Sequence, residues 1–252
     1  MRLVIAAVAA LLATPVWAED SPAPITAPFD NDLVVANDRP VVFNRHVTKG
    51  QPILTMGARY RRTGRLVNDT TFALFGFGKR TIPAGTPMYF RDAGAIGMGI
   101  PISLWCAPAV EIKGRKQPAC LLYRDTALAM NRVELIDVAD ANPWMISSFK
   151  LGQVSAPSPE IHEEEVDFPT VIAIEVAIEE QRGDQLRIAT TKEAKCEGCS
   201  SIKVTQVRAV PIQADGSATV EFGAAGAMTV RPAADGYDVS LEGPLAARAA
   251  GG

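Results

Sequence analysis

Histidine is scarce in this 252-residue chain, where His46 and His162 are the only two. Hydrolytic triads and many metal centres depend on a histidine that a second side chain holds in place. His46 is expected on a mostly polar strand face, and His162 lies beside the acidic run at 163–165. Neither position predicts an enclosed, rigid imidazole. We therefore expect no catalytic residue, no metal site and no cofactor.

Motifs for nucleophilic catalysis and nucleotide binding are also missing. No Gly-x-Ser-x-Gly occurs, and Gly94, Gly97 and Gly99 stand in the wrong order for a dinucleotide fingerprint. The stretch around Gly78 lacks the first glycine of a phosphate loop, because Ala73 occupies that position. These glycines are interpreted as bulges or close approaches within strands. Paired carboxylates of a hydrolase have no sequence signature, so an envelope hydrolase of unrecognised type stays open as an alternative.

Long uncharged apolar runs are absent after the N-terminal segment. Residues 3–13 are apolar, and Val16 and Ala18 suit the −3 and −1 positions of a signal-peptidase site. The run is shorter than the roughly 20 residues that span a bilayer. We predict that residues 1–18 are a cleaved signal peptide of a bacterial protein. The mature chain is then periplasmic, on the cell surface or secreted, without a transmembrane segment.

Cysteine is limited to four residues, Cys106, Cys120, Cys196 and Cys199. An even number in an exported protein indicates disulfides, and the local pairing is Cys106–Cys120 with Cys196–Cys199. A Cys-x-x-Cys also occurs in redox dithiols, which stand at helix N-termini, and in zinc knuckles. The residues after Cys199 predict a strand, which favours a structural staple. A thiol–disulfide protein is kept as an alternative.

The sequence patterns predict an all-β protein of antiparallel strands in two small sandwich-like or barrel-like domains. Alternation is clearest at 171–180, where Ile172, Ile174, Val176 and Ile178 share one face. Asp215-Gly216 and Asp235-Gly236 are predicted hairpin turns. The predicted segments after the signal peptide are an N-terminal linker (19–30), a basic β-rich domain (31–150), an acidic Pro-rich linker (151–169), an antiparallel β domain (170–245) and a flexible tail (246–252).

Finer predictions concern the first domain. Residues 66–77 are expected to form one central strand, since Phe72 and its neighbours are apolar on both faces. Residues 107–119 are expected to be a polar loop that a Cys106–Cys120 disulfide closes into a hairpin. Residues 126–138 are the only helix candidate, although a strand fits that pattern almost as well.

Charge is unevenly distributed along the chain. Residues 31–150 carry 16 Lys/Arg and 9 Asp/Glu, whereas residues 151–165 carry four glutamates and no basic residue. A basic region beside an acidic one indicates either internal docking or an anionic partner. The densest basic cluster lies at an expected hairpin tip, and arginine forks suit phosphate or carboxylate. The candidate binding residues are Arg59, Tyr60, Arg61, Arg62 and Arg65, with Tyr60 available to stack on a sugar.

Together these features predict an exported, non-catalytic envelope protein. We expect it to bind or scaffold a protein partner or an anionic envelope polymer, such as an acidic polysaccharide or lipopolysaccharide. Nucleic acid is not an expected partner outside the cytoplasm.

Overall fold

The fold is almost entirely antiparallel β-structure, which confirms the all-β prediction. A computed structural model describes residues 23–74, 78–96, 100–112, 115–124, 134–137, 151–154, 159–168, 171–195 and 202–251. In chain order the strands of these segments are β1 (Leu33–Val35), β2 (Val42–Phe43), β3 (His46–Val47), β4 (Pro52–Tyr60), β5 (Thr63–Leu66), β6 (Thr70–Leu74), β7 (Gly78–Ile82), β8 (Pro87–Ile96), β9 (Ile100–Ile112), β10 (Arg115–Arg124), β11 (Glu134–Asp137), β12 (Leu151–Val154), β13 (Ile161–Glu163), β14 (Val171–Arg182), β15 (Gln185–Lys195), β16 (Ile202–Pro211), β17 (Ala218–Glu221), β18 (Ala227–Ala233) and β19 (Gly236–Glu242).

A six-stranded sheet, here called the central sheet, contributes to the larger buried cluster. Its order is β1-β4-β14-β15-β16, and β2 also pairs with β4. The alternation predicted in β14 is confirmed, because its four isoleucine and valine side chains on one face are fully buried. Burying a side chain of this size stabilises the fold by roughly 1.5–3 kcal/mol relative to exposing it.

Strands from both sides of the predicted linker pair with each other in this sheet. β4 precedes residues 151–169 and β14 follows them, yet the two strands pair over Ile172–Ala58 to Ala177–Pro52. Leu54 and Met56 of β4 share one buried cluster with Ile174 of β14. The predicted linker itself contributes β12 and β13 to another sheet. The division into two domains stays a prediction, and the shared sheet is the contact that any separation must break.

A nine-stranded sheet holds the second core. Its order is β13-β5-β8-β9-β10-β11-β12-β6-β7. Its apolar cluster is formed by Leu66, Phe72, Ile82, Met88, Trp105, Ala107, Ala119 and Leu121. The single strand predicted over 66–77 is wrong, because β5 ends at Leu66 and β6 begins at Thr70. Asn68 and Asp69 turn the chain, and Asp69 Oδ1 accepts a hydrogen bond from the Ala84 amide at 2.7 Å.

The β9–β10 hairpin contains the predicted disulfide. Cys106 and Cys120 are direct cross-strand partners with Cα atoms 3.9 Å apart, and the bond between them confirms the predicted pairing. The loop expected over 107–119 is wrong in extent. Both strands continue beyond the disulfide, β9 to Ile112 and β10 from Arg115, so the cross-link lies within the ladder.

A four-stranded sheet, β17-β18-β19-β3, and a helix follow β16. The turn predicted at Asp235-Gly236 joins β18 to β19 as a hairpin. The one at Asp215-Gly216 is a turn but not a hairpin, because β16 and β17 belong to different sheets. The helix α1 spans Pro244–Ala250, where a flexible tail was predicted from residue 246. Its Arg248 guanidinium donates to the carbonyl oxygens of Val35, Ala36 and Arg39.

The segment at 23–30, part of the predicted N-terminal linker, packs against the central sheet. Thr26 forms a β-bridge with Val34, and Ala27 is buried. Asp30 Oδ2 accepts a hydrogen bond from Lys192 Nζ of β15 at 2.5 Å, and both side chains are buried or nearly so. This ion pair ties the segment to a strand 162 residues away in sequence.

Candidate functional site

The predicted arginine cluster lies where β4 passes into β5. Arg59 is near the end of β4, Arg61 and Arg62 form the bend after it, and Arg65 lies within β5. All four are exposed residues. We call these four residues the arginine surface. The tight connection between two strands brings them together, but the predicted hairpin tip is wrong, because β4 and β5 belong to different sheets.

An acidic segment covers this surface. Residues 159–168, here called the acidic strap, run alongside β5, and β13 within the strap pairs antiparallel with it. The register matches Ile161 with Leu66, His162 with Arg65, and Glu163 with Gly64. Close approach depends on Gly64, since a Cβ there would lie 2.5 Å from the His162 carbonyl oxygen. The strap is therefore an added edge strand of the nine-stranded sheet.

Three arginines each hold one carboxylate of the strap. Arg62 contacts Glu163 through two nitrogens, at 3.2 and 2.5 Å, and Arg65 Nε donates to Glu164 at 2.6 Å. Arg59 Nη1 pairs with Glu165 Oε1. The six side chains remain between 39% and 81% exposed. These are surface ion pairs, and each is worth only about 0–1 kcal/mol.

Thr63 fixes the backbone of the strap. Its hydroxyl donates to the Glu164 carbonyl oxygen at 2.6 Å and accepts from the Val166 amide at 2.9 Å. Its carbonyl oxygen accepts from the Glu164 amide at 3.1 Å. The strap is thus recognised through its peptide groups as well as its charges.

Tyr60 is buried beneath the strap, so its ring does not face solvent as the sugar-stacking prediction requires. Its relative exposure is 7%, and its ring stacks on Tyr89 with centroids 3.9 Å apart. Phe168 of the strap packs edge-on against both rings. Burial raises the pKa of Tyr60 well above its usual value, and Tyr89 adds to the effect. Burial likewise raises the pKa of Tyr89, while Arg91 opposes that shift.

Arg62 and Arg61 have partners other than the carboxylates of the strap. Arg62 lies over Phe90, with its guanidinium carbon 4.0 Å from the ring centroid, and 5.6 Å from that of Trp105. A cation held over an aromatic face gains roughly 0.5–1 kcal/mol at an exposed site. Arg61 Nη2 donates to the hydroxyl of Thr26. Arg62 is accordingly the best-anchored guanidinium of the surface, and Arg61 pairs with a hydroxyl rather than a carboxylate.

A cleft of about 840 Å³ opens between the strap and the loop at 36–39. Its lining includes the apolar side chains of Ala58, Phe168 and Ile172 and the charged side chains of Arg59 and Glu165. Glu163, Glu164 and Glu165 of the strap line it, and each is ion-paired with an arginine. Its lining mixes arginines with acidic side chains, so the arginine forks that can hold an extended anionic segment are those that the strap occupies.

Comparison of the chain with protein families, with curated protein sequences and with solved structures gives no match. The site itself is therefore the only basis for a function. Within the described segments, no helix is long and apolar enough to cross a membrane. The same segments place no group of three His, Cys, Asp or Glu side chains where they could hold a metal ion.

Neither histidine lines the cleft. His162 is exposed on the strap, facing solvent. His46 lies on β3, with Nδ1 2.8 Å from Asp238 Oδ1 and Nε2 3.3 Å from Asp235 Oδ1. The hydrogen bond from His46 to Asp238 is the main cause of a raised imidazole pKa. This exposed arrangement joins β3 to β19 and is interpreted as structural.

Cys196 and Cys199 lie outside the described residues, so their pairing remains a prediction.

Internal docking of the basic and acidic regions was one of the two alternatives that the charge distribution indicated, and the strap docks in this way. Its strand pairing was not predicted, because residues 151–169 were assigned to a solvated linker. A usable signal was present, because three consecutive glutamates match a cluster of four arginines in charge. The two groups are about 100 residues apart in sequence, so no local sequence pattern indicates that they are in contact.

Proposed function

We propose that this chain is an exported, non-catalytic protein of the bacterial cell envelope that binds or scaffolds an anionic partner through the arginine surface. The observation that carries the proposal is that three of the four arginines each hold a carboxylate from one extended segment. A surface that receives a row of carboxylates from its own chain has the geometry to receive one from another molecule.

The weakness of the internal ion pairs supports this proposal. Exposed pairs contribute about 0–1 kcal/mol each, because water already solvates both partners well. A partner with several anionic groups can replace them without leaving a buried charge unpaired. The Cys106–Cys120 disulfide is compatible with export, since disulfides persist in oxidising compartments. Phosphates of lipopolysaccharide and carboxylates of peptidoglycan, acidic polysaccharide or proteins are the anions of the envelope.

The test is co-sedimentation of the purified protein with envelope fragments across a salt series. We expect binding to weaken steeply as salt rises, because exposed charges are screened over about 10 Å at 0.1 M salt. Replacing Arg59, Arg61, Arg62 and Arg65 by Ser is expected to remove most of the binding and of its salt dependence.

A control variant removes the same number of positive charges elsewhere. Its four substitutions to Ser are at exposed basic residues of other strands: Arg182, Lys195, Lys203 and Arg231. This control is expected to sediment nearly as well as the wild type. Equal sedimentation of the arginine-surface variant and the wild type would refute the proposal, as would equal losses in both variants.

A further inference from the structure

The acidic strap is bound through β-strand pairing as well as through charge. This pairing restricts the chemistry of a partner more narrowly than charge alone does. Pairing with β5 continues beyond β13, because the Val67 amide donates to the Glu160 carbonyl oxygen at 2.8 Å and Glu164 donates to Thr63. Strand addition at a sheet edge gains its affinity from main-chain hydrogen bonds. Only a polypeptide supplies that ladder, whereas a polysaccharide supplies charge and hydroxyl groups alone.

The edge of β5 is shaped for a close peptide backbone. Gly64 is buried under the strap, and a Cβ there would also lie 2.9 Å from Ile161 Cγ2. Because Gly64 has no side chain, the incoming backbone can approach the edge of β5 closely. Thr63 then contacts the peptide groups on either side of Glu165, from the Glu164 carbonyl to the Val166 amide.

Side chains of the strap define a sequence pattern. Three consecutive acidic residues meet three arginines, and apolar residues flank them on both sides. Val166 is 7% exposed, and Ile161 packs against the second core cluster. An extended segment of the form apolar-x-acidic-acidic-acidic-apolar reproduces the ion pairs and the apolar contacts of Ile161–Val166, and Phe168 adds an aromatic contact beyond it.

We propose that the partner of the arginine surface is a protein with an acidic extended segment of this pattern, which pairs with β5 in place of the acidic strap. The inference rests on the proposed function and specifies its ligand as a peptide. The strap then acts as an internal competitor, because a segment of the same chain is present at high effective concentration. Weakening the strap is expected to uncover the site.

The probe is a fluorescent peptide with the sequence of residues 159–168, PEIHEEEVDF, and its control carries glutamine in place of the three consecutive glutamates. The protein variant E163Q/E164Q/E165Q weakens the strap without changing its shape. We expect it to bind the acidic peptide about ten-fold more tightly than the wild type does, because the internal competitor is weakened. The glutamine peptide is expected to bind neither protein.

A matched control is E179Q/E180Q/E221Q, which removes three acidic charges from β14 and β17. It is expected to bind the acidic peptide no better than the wild type. Equal gains in both triple variants would show a general charge effect and overturn the proposal, and so would the absence of any gain in E163Q/E164Q/E165Q.

Strand pairing is tested separately from charge. Adding Gly64→Val to the E163Q/E164Q/E165Q variant should abolish peptide binding while leaving binding of polygalacturonate, a polycarboxylate without peptide groups, unchanged. Thr63→Val is the second variant, because it removes only a hydroxyl that contacts the strap backbone. Circular dichroism and thermal melting verify that both proteins are folded.

The outcomes distinguish this inference from the proposed function. Peptide affinity that withstands both Gly64→Val and Thr63→Val overturns the strand-pairing proposal. Polygalacturonate binding without peptide binding also overturns it, and leaves an anionic-polymer partner for the arginine surface. Failure of both probes, together with no sedimentation on envelope fragments, rejects the proposed function itself.

Discussion

Two kinds of ion pair join distant parts of this chain, and they differ in burial. The Lys192 and Asp30 side chains are 3% and 11% exposed, whereas every side chain in the three arginine–glutamate pairs is at least 39% exposed. Breaking a buried pair leaves a charge without water or partner, which is costly. Breaking an exposed pair returns both groups to solvent at little cost. The first kind holds the fold together, and the second leaves a surface that can exchange partners.

Tyr60 lies close to both of these regions. Its ring lies under the strap with Tyr89 and Phe168, and the Asp30 carboxylate is close enough to contribute to its raised pKa. The aromatic cluster therefore lies next to both the buried pair and the exchangeable ones. Changes at the arginine surface are expected to alter binding with little effect on folding, and changes at Lys192 the reverse.

The largest expected effect is from Lys192→Ala, which leaves Asp30 buried without its cation. We expect a loss of about 3–5 kcal/mol in the free energy of unfolding, as is typical when one partner of a buried ion pair is removed. Urea denaturation followed by circular dichroism measures this loss.

The double variant Asp30→Ala/Lys192→Ala is the control for that prediction. It removes both charges, so we expect it to be less destabilised than the sum of the two single variants. Additive losses would show that the two side chains do not interact, and the contrast between buried and exposed pairs would fail.

The second prediction concerns the buried covalent link. Replacing Cys106 and Cys120 by Ala removes a disulfide that closes a loop of 14 residues, and we expect a loss of roughly 3 kcal/mol. Comparing the denaturation curves of the oxidised wild type and the variant gives the difference in their free energies of unfolding. A reducing agent should destabilise the wild type more than the variant, which keeps Cys196 and Cys199, and equal sensitivity of both would contradict this assignment.

Limited proteolysis tests the predicted domain division and compares the exposed strap with the sheet beneath it. Because β4 pairs with β14 across the predicted linker, we expect fragments cut within 155–170 to remain associated in native buffer. Size-exclusion chromatography of the cut protein shows whether they do. Separation into two folded pieces would establish the two-domain organisation and show that the shared sheet contributes little to stability.

Sequence patterns predicted the features whose cause is local. The alternation of β14, the hairpin turn before Gly236 and the disulfide between nearby cysteines each follow from neighbouring residues. The arginine cluster was predicted for the same reason, since a short connection places its residues together. The register of β13 on β5 depends instead on Gly64, whose missing side chain matters only when a strand about 100 residues away lies against it.

Composition misled in one region. Proline and glutamate indicated a solvated connector over 151–169, yet β12 and β13 both pair within the nine-stranded sheet. The burial of Tyr60 could not be predicted either, because the alternation in β4 does not indicate that Tyr89 and Phe168 pack against that ring. Tertiary packing decides both outcomes, and no local periodicity encodes it.

A smaller effect is expected from E163Q/E164Q/E165Q on stability. Each lost ion pair should cost at most about 1 kcal/mol, and exposed pairs typically cost less, so the unfolding midpoint should shift less than in Lys192→Ala. High salt should reduce the difference from the wild type, since it screens exposed pairs. Urea titrations at low and high salt measure both quantities. A loss as large as that of Lys192→Ala would remove the distinction between the two kinds of pair.

The smallest effect is expected at His46, an exposed ion pair that titrates. Hydrogen bonding to Asp238 raises the folded-state pKa of the imidazole above its ordinary value near 6.5. The folded protein then binds the proton more tightly than the unfolded chain, so this pair stabilises the fold fully below about pH 6.5. That contribution is lost as pH rises through the elevated folded-state pKa. His46→Gln should therefore be less stable than the wild type in mildly acidic buffer and nearly equal to it in alkaline buffer. Asp238→Asn should weaken the same pH dependence, and NMR titration of the His46 ring should give a pKa above that of an unfolded peptide. An unshifted pKa, or a stability difference that grows with rising pH, would contradict this reading of the β3–β19 contact.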